Sequence, residues 1–140
     1  MRGAAAGAAA AAAWAASDPV LRRLAGTPYT DVRLLGRLVT RRRGWPVAGL
    51  ALHVANGAVF GAAFERLGLS GVKAGVVAAQ VENTLLWPTM AIADRIHPDR
   101  RDGTWPPLFS NTRVVAQEVV GHAIFGAVLG ALTRRGRRSR

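Results

Sequence analysis

Cysteine is absent, which excludes disulfides and thiolate metal sites and leaves the redox compartment unread. Aromatic residues make up only 6% of the chain, and lysine occurs once, as Lys73, every other cationic residue being arginine. Acidic residues number eight among 140, so the net charge is +11. The most telling lack is of charge inside long blocks. No charged residue falls between Arg43 and Glu65; only Glu82 falls between Lys73 and Asp94, and only Glu118 between Arg113 and Arg134. Each block approaches the roughly 20 mainly apolar residues that a bilayer core asks of a helix. The charges crowd at the block ends. A nucleic-acid binder would gather them on a polar face, so nucleic acid is excluded as the expected partner and a membrane takes its place.

What is present is a duplication. The stretch HVANGAVFGAAFER, from His53, returns as HAIFGAVLGALTRR, from His122, an offset of 69 residues (122 − 53 = 69). Gly57 and Gly61 fall on Gly126 and Gly130. Pro19 falls on Pro88 at the same offset, and Gly3 and Gly7 fall on Gly71 and Gly75 once a single gap is allowed. Each half therefore reads as a G-x-x-x-G helix with a late Pro, a polar Arg-containing connection, and an H-x-x-x-G-x-x-x-G helix. Glycines four apart share one helix face, where they let a neighbouring backbone approach closely. The expected fold is all-α: a four-helix transmembrane bundle made of two tandem two-helix repeats, residues 3–67 and 71–136, in one domain spanning 1–136. Two helices per repeat bring both repeats into the membrane from the same side, which predicts a parallel pseudo-two-fold. Pro19 and Pro88 are expected to kink their helices.

The Ala-rich run after Arg2 has a second reading. Ala13-Trp14-Ala15 fits the small-x-small pattern before a signal cleavage site. The repeat favours a helix over about residues 3–24, cognate to 71–95. In the first connection Leu34, Leu35, Leu38 and Val39 recur at helical spacing beside Arg33, Arg37 and Arg41, and Thr30-Asp31 offers an N-cap. That predicts a short interfacial amphipathic helix with its arginines towards lipid headgroups. Trp45 and Trp105, each before a Pro, read as aromatic-belt residues. The second connection, DRIHPDRRDGTWPPLFSNTR, reads as a solvated loop with local salt bridges, or as an anion or headgroup site. The end residues 137–140 form a basic tail. The expected partners are a bilayer with anionic headgroups at the Arg-rich ends and a second copy of the chain at the small-residue faces. The arginines are too evenly divided between the two ends to fix the orientation.

Chemistry could reside in polar groups set within the apolar blocks. His53, Asn56, Glu82, Asn83, Glu118 and His122 are expected to face the bundle interior as a polar seam, because a charge facing lipid at mid-bilayer costs roughly 2.5–3.5 kcal/mol. Glu118 and His122 share a helix face, whereas His53 has Gly49 where His122 has Glu118. Glu82 supplies the second carboxylate if the second and third of the four helices pack together. The seam could serve as structural hydrogen bonding, as a proton, ion or solute path, or as a haem or metal site at His53 and His122. Glu-x-x-x-His is not the spacing of di-iron bundles. Ser70 and Ser110 lie in turns or loops, and no Gly-rich stretch is followed by the Lys-Ser/Thr of a phosphate loop. No enzyme, metal or cofactor is therefore expected.

The patterns DVRLLGRLVT, ALHVANGAVFGAAFERLG, ENTLLWP, RIHPDRRDGTWPPL and QEVVGHAIFGAVLG resemble small integral membrane proteins of high-GC Gram-positive bacteria, over nearly the whole chain. The Arg-for-Lys skew and the wealth of Ala and Gly suit such a coding bias. That family carries no known activity, so the resemblance implies a multi-pass protein of the cell membrane and transfers no residue roles.

Overall fold

The structure is a computed structural model that describes residues 2–134; the basic tail 137–140 and the last residues of the second repeat lie outside them. The described residues form seven helices and no strand: α1 (Arg2–Ala25), α2 (Asp31–Val39), α3 (Trp45–Arg66), α4 (Val72–Leu86), α5 (Thr89–Ile96), α6 (Pro98–Arg101) and α7 (Thr112–Leu132). Two of them, α3 and α7, are long and apolar enough to cross a membrane. The expectation of four such helices is met at these two. In α1 the Ala-rich run is less apolar and includes Asp18 and Pro19. In α4 the 15 residues reach only about 22 Å at 1.5 Å per residue, short of a hydrocarbon core of roughly 30 Å.

The two prolines behave differently. α1 continues past Pro19 as one 24-residue helix. At Pro88 the helix stops, and the Met90 and Ala91 N–H groups donate to the carbonyls of Trp87 and Pro88, a tighter turn that starts α5. α1 ends where Gly26 takes the left-handed conformation, φ 63°, and donates its N–H to the Arg22 carbonyl. Ala6, Ala10, Ala11 and Trp14 of α1 belong to the main core cluster, a role the cleaved-signal reading does not foresee.

The long helices stand in the order α3, α1, α7, α4, with α1 against both α3 and α7 and α4 against α7. Glycines set the close approaches. A Cβ on Gly3 or Gly7 would strike the backbone at Gly61 or Gly57, and one on Gly75 or Gly126 would strike the other's backbone. Gly130 meets the backbone of Gly71 in the same way. These glycine faces are thus spent within the chain and not held out to a second copy. α3 and α4 scarcely touch, so the row does not close into a ring. The gap is an apolar groove of about 890 Å³ lined by Phe60, Phe64, Val77 and Leu85 among others.

Both connections fold over one end of the bundle. Thr30 caps α2 by accepting the Arg33 N–H, and α2 lies back on α3 where Gly36 and Gly49 remove the side chains that would hold them apart. Arg33 and Arg37 do not reach for headgroups. Both bind Asp99 of α6, through Arg33 Nε at 2.7 Å and Arg37 Nε at 3.2 Å. Trp105 is no belt residue: it is buried, stacked on His97 with ring centroids 4.5 Å apart, and beside Tyr29. The second connection is therefore a packed cap with its own core of Tyr29, Met90, Ala93, Trp105, Leu108 and Val114. The sequence reading of a solvated loop missed it because the apolar cap residues are scattered between charges that pair with one another.

Candidate functional site

Directly beneath α2 the helices leave a cavity of about 230 Å³. All six seam residues border it: His53 and Asn56 from α3, Glu82 and Asn83 from α4, Glu118 and His122 from α7. His53, Asn83, Glu118 and His122 are buried, Glu82 is half-buried, and Asn56 is exposed at the rim. Helical spacing brings Glu118 and His122 to one face. Glu82 reaches that face by a route other than the one expected, since α4 packs on α7 and not on α3. Gln80, one turn before Thr84, fixes that pair by donating from Nε2 to the Val119 carbonyl at 2.7 Å.

His122 is held at both ring nitrogens. Nδ1 lies 2.8 Å from the Glu118 carbonyl oxygen. A carbonyl can only accept, so this nitrogen carries a proton. Nε2 lies 3.2 Å from Glu82 Oε2. A hydrogen bond there needs one more proton, resident on the ring or on the carboxyl. Both placements give the pair the same net charge. Glu118 Oε2 stands 3.8 Å from Nδ1, beyond hydrogen-bond reach. His53, by contrast, has a buried Nε2 with no hydrogen-bond partner. Both imidazoles rest against the indole of Trp14, at centroid distances of 4.9 Å for His53 and 4.6 Å for His122.

Several lining residues escaped the sequence reading. Trp14 is the lone aromatic in an alanine run, and at the offset relating Gly7 to Gly75 it stands opposite Glu82, a signal that was available. Phe60, Trp87 and Phe125 complete the aromatic wall. Asp31, read as part of an N-cap, borders the cavity as well and accepts the Tyr29 O–H at 2.6 Å. Burial, and then the neighbouring Asp31 carboxylate, push the Tyr29 hydroxyl well above the ordinary phenol range, so it stays a donor. Leu34 and Leu35 of α2 close the cavity from the cap side.

The cap that holds α2 is itself tied by proton positions. His97 Nδ1 accepts the Asp99 N–H at 3.2 Å. Its Nε2 lies 3.2 Å from the Leu34 carbonyl and must donate to it. The ring is thereby fixed as one neutral tautomer. Burial pulls its pKa below the ordinary histidine value, against the opposing pull of the Leu34 carbonyl and Asp99. Burial alone would raise Asp99, but its hydrogen bond from Arg33 and the charges of Arg33 and Arg37 outweigh that and hold the carboxyl below its usual value.

Among the described residues no group of three or more His, Asp or Glu is arranged to hold a metal ion. With both nitrogens of His122 engaged, the geometry gives the haem or metal reading at His53 and His122 no support. No family model, curated protein or solved structure matches this chain, so its chemistry rests on the residues themselves.

Proposed function

We propose that this chain is a multi-pass protein of the cell membrane, built from two tandem two-helix repeats, whose interior seam takes up a small solute and exchanges a proton between Glu82 and His122. It is a permease-type bundle and not a catalyst. The observation that carries this reading is an inversion of side chains. The buried faces of α3 and α7 hold Gly49, His53, Gly57, Gly61, Gln117, Glu118, Gly121, His122, Gly126 and Gly130 together with only four large apolar side chains, Phe64, Val114, Phe125 and Leu129. The exposed faces hold Val47, Leu52, Val59, Val115, Val119 and Leu132. Water disfavours so many large apolar side chains on the exposed faces of two neighbouring helices. Lipid selects this pattern, because packing between membrane helices comes from small residues and interior hydrogen bonds.

The two spans of lower apolarity or length belong to the same proposal. α4 and α5 together form one bent run, 72–96, comparable with α1. The glycine contacts of α1 with α3 parallel those of α4 with α7, which supports a duplication. The exposed arginines Arg22, Arg23, Arg41, Arg42 and Arg43 remain for anionic headgroups. The test is reconstitution into vesicles with an entrapped pH dye and an imposed potassium diffusion potential. Proton entry should exceed that of protein-free vesicles and fall to that level in Glu82→Gln and His122→Ala. Entry no faster than in protein-free vesicles overturns the proton step. Release of the protein from native membranes by alkaline carbonate overturns the membrane reading itself.

A further inference from the structure

We propose that the cavity binds a small organic cation, an amine or quaternary ammonium group, with its charge against Glu118 and Glu82 and its carbon shell against Trp14 and the neighbouring rings. This deepens the reading of the seam as a solute site and rests on it. The first observation is the charge of the wall. In a chain of net charge +11, three of the eight acids, Asp31, Glu82 and Glu118, border this cavity, and not one Arg or Lys does. Two of the three carboxylates are already engaged, Asp31 by the Tyr29 hydroxyl and Glu82 by His122.

The second observation is that Glu118 is not engaged. Its side chain is 4% exposed and accepts no hydrogen bond; the ring nitrogen beside it, His122 Nδ1 at 3.8 Å, already gives its proton to the Glu118 carbonyl. His53 adds a second unsatisfied group to the same wall, its Nε2 buried and without a partner. A buried polar group left without a partner costs about 1–3 kcal/mol, and more when charged. Such a carboxyl, in a cavity that no Arg or Lys borders, is a place prepared for a cation from outside.

The third observation selects the kind of cation. A metal ion asks for several oxygen or nitrogen ligands around it. Among the described residues no three His, Asp or Glu are placed to do so, whereas this wall adds four rings to its polar groups, Trp14, Phe60, Trp87 and Phe125. Aromatic faces attract ammonium groups, most strongly when these are desolvated. A volume of about 230 Å³ admits a head group of a few carbons and excludes a large amphiphile.

The experiment is calorimetric titration of the purified full-length protein in detergent with choline and with its neutral carbon isostere, 3,3-dimethylbutan-1-ol. Choline should bind at least tenfold more tightly than the isostere, and Glu118→Gln should weaken choline at least tenfold while leaving the isostere unchanged. Equal affinities, no choline binding, or an unaltered Glu118→Gln would each overturn the proposal. If Glu118→Gln does not fold, Glu82→Gln takes its place, and the isostere comparison on the wild-type protein stands without either variant. Proton entry into vesicles by a protein that does not prefer choline removes the cation and keeps the seam. Extraction by alkaline carbonate removes both.

Discussion

The helix pair α1 with α3 and the pair α4 with α7 are built alike and equipped differently. In each, two glycines on one helix meet two on the other or at its N-cap, backbone to backbone. In each, a histidine lies one turn before the first of its helix's two contact glycines, His53 before Gly57 and His122 before Gly126. There the likeness ends. His122 has Glu118 one turn before it and Glu82 across from it. His53 has Gly49 in the first place and Trp14 in the second. One histidine is bonded at both nitrogens, and the other keeps a buried nitrogen unpartnered. The glycines supply the architecture that both pairs share. The residues one turn away supply the chemistry, and in only one pair are those residues acids.

The strongest way to break the shared part is to give a glycine a large side chain. In Gly126→Leu the new atoms would meet the Gly75 carbonyl and the Val76 backbone, and in Gly57→Leu they would meet Ala11 and the Gly7 carbonyl. Backbone cannot rotate away as a side chain can. Each variant should lose stability at or above the ~3 kcal/mol upper end of ordinary overpacking, read as a lowered or missing thermal transition in detergent. Similar losses in the two variants keep the pairs equivalent. A normal transition in either would show that its glycines do not set the contact.

The next change separates the pairs. His122→Ala removes two hydrogen bonds and leaves Glu82 without its partner, whereas His53→Ala removes ring packing on Trp14 and no hydrogen bond. His122→Ala should therefore cost about 1–3 kcal/mol more than His53→Ala. Denaturation in detergent at fixed pH measures both. Equal costs would mean that packing on Trp14, common to the two histidines, is all that either contributes.

Much of this was legible beforehand, for reasons that differ by element. Gly57, Gly61, Gly126 and Gly130 could be read because a helix face repeats every four residues and the repeat doubled the signal. The six seam residues all border one cavity, an arrangement that the cost of leaving polar groups in lipid leads one to expect without knowledge of the fold. The helix order was not legible. Periodicity says which face is buried and not which neighbour buries it, so the pairing of α4 with α7, and with it the Glu82 partner, was assigned to the wrong helix contact. Trp105 was misread because a Trp next to Pro near a span end looks the same whether it faces lipid or a folded cap. Arg33 and Arg37 were given to lipid because their partner, Asp99, lies more than sixty residues away.

That cap carries the smallest difference, and it lies between the two connections. The first connection contributes α2, the wall above the cavity; the second contributes His97 and Asp99, which hold α2 in place. His97 can do so only while neutral, since Nδ1 must accept from the Asp99 N–H. Its pKa is lowered in the folded protein by burial, while in the unfolded chain it returns to about 6.5. In the window between the two values the unfolded chain binds a proton that the folded chain does not. Stability from His97 is therefore complete above about pH 6.5 and declines as the pH falls through that window. Asp99, also lowered, adds a separate loss in more acid solution, below the usual carboxylate range. His97→Asn keeps a side-chain acceptor for the Asp99 N–H but cannot titrate, so the protection of amides around Leu34, taken relative to the intrinsic exchange rate at each pH, should fall below about pH 6.5 in the parent protein and stay level in the variant. Parallel profiles would mean that Arg33 and Arg37 hold α2 down alone, and the second connection would then act on the first through charge pairing and not through the state of a proton.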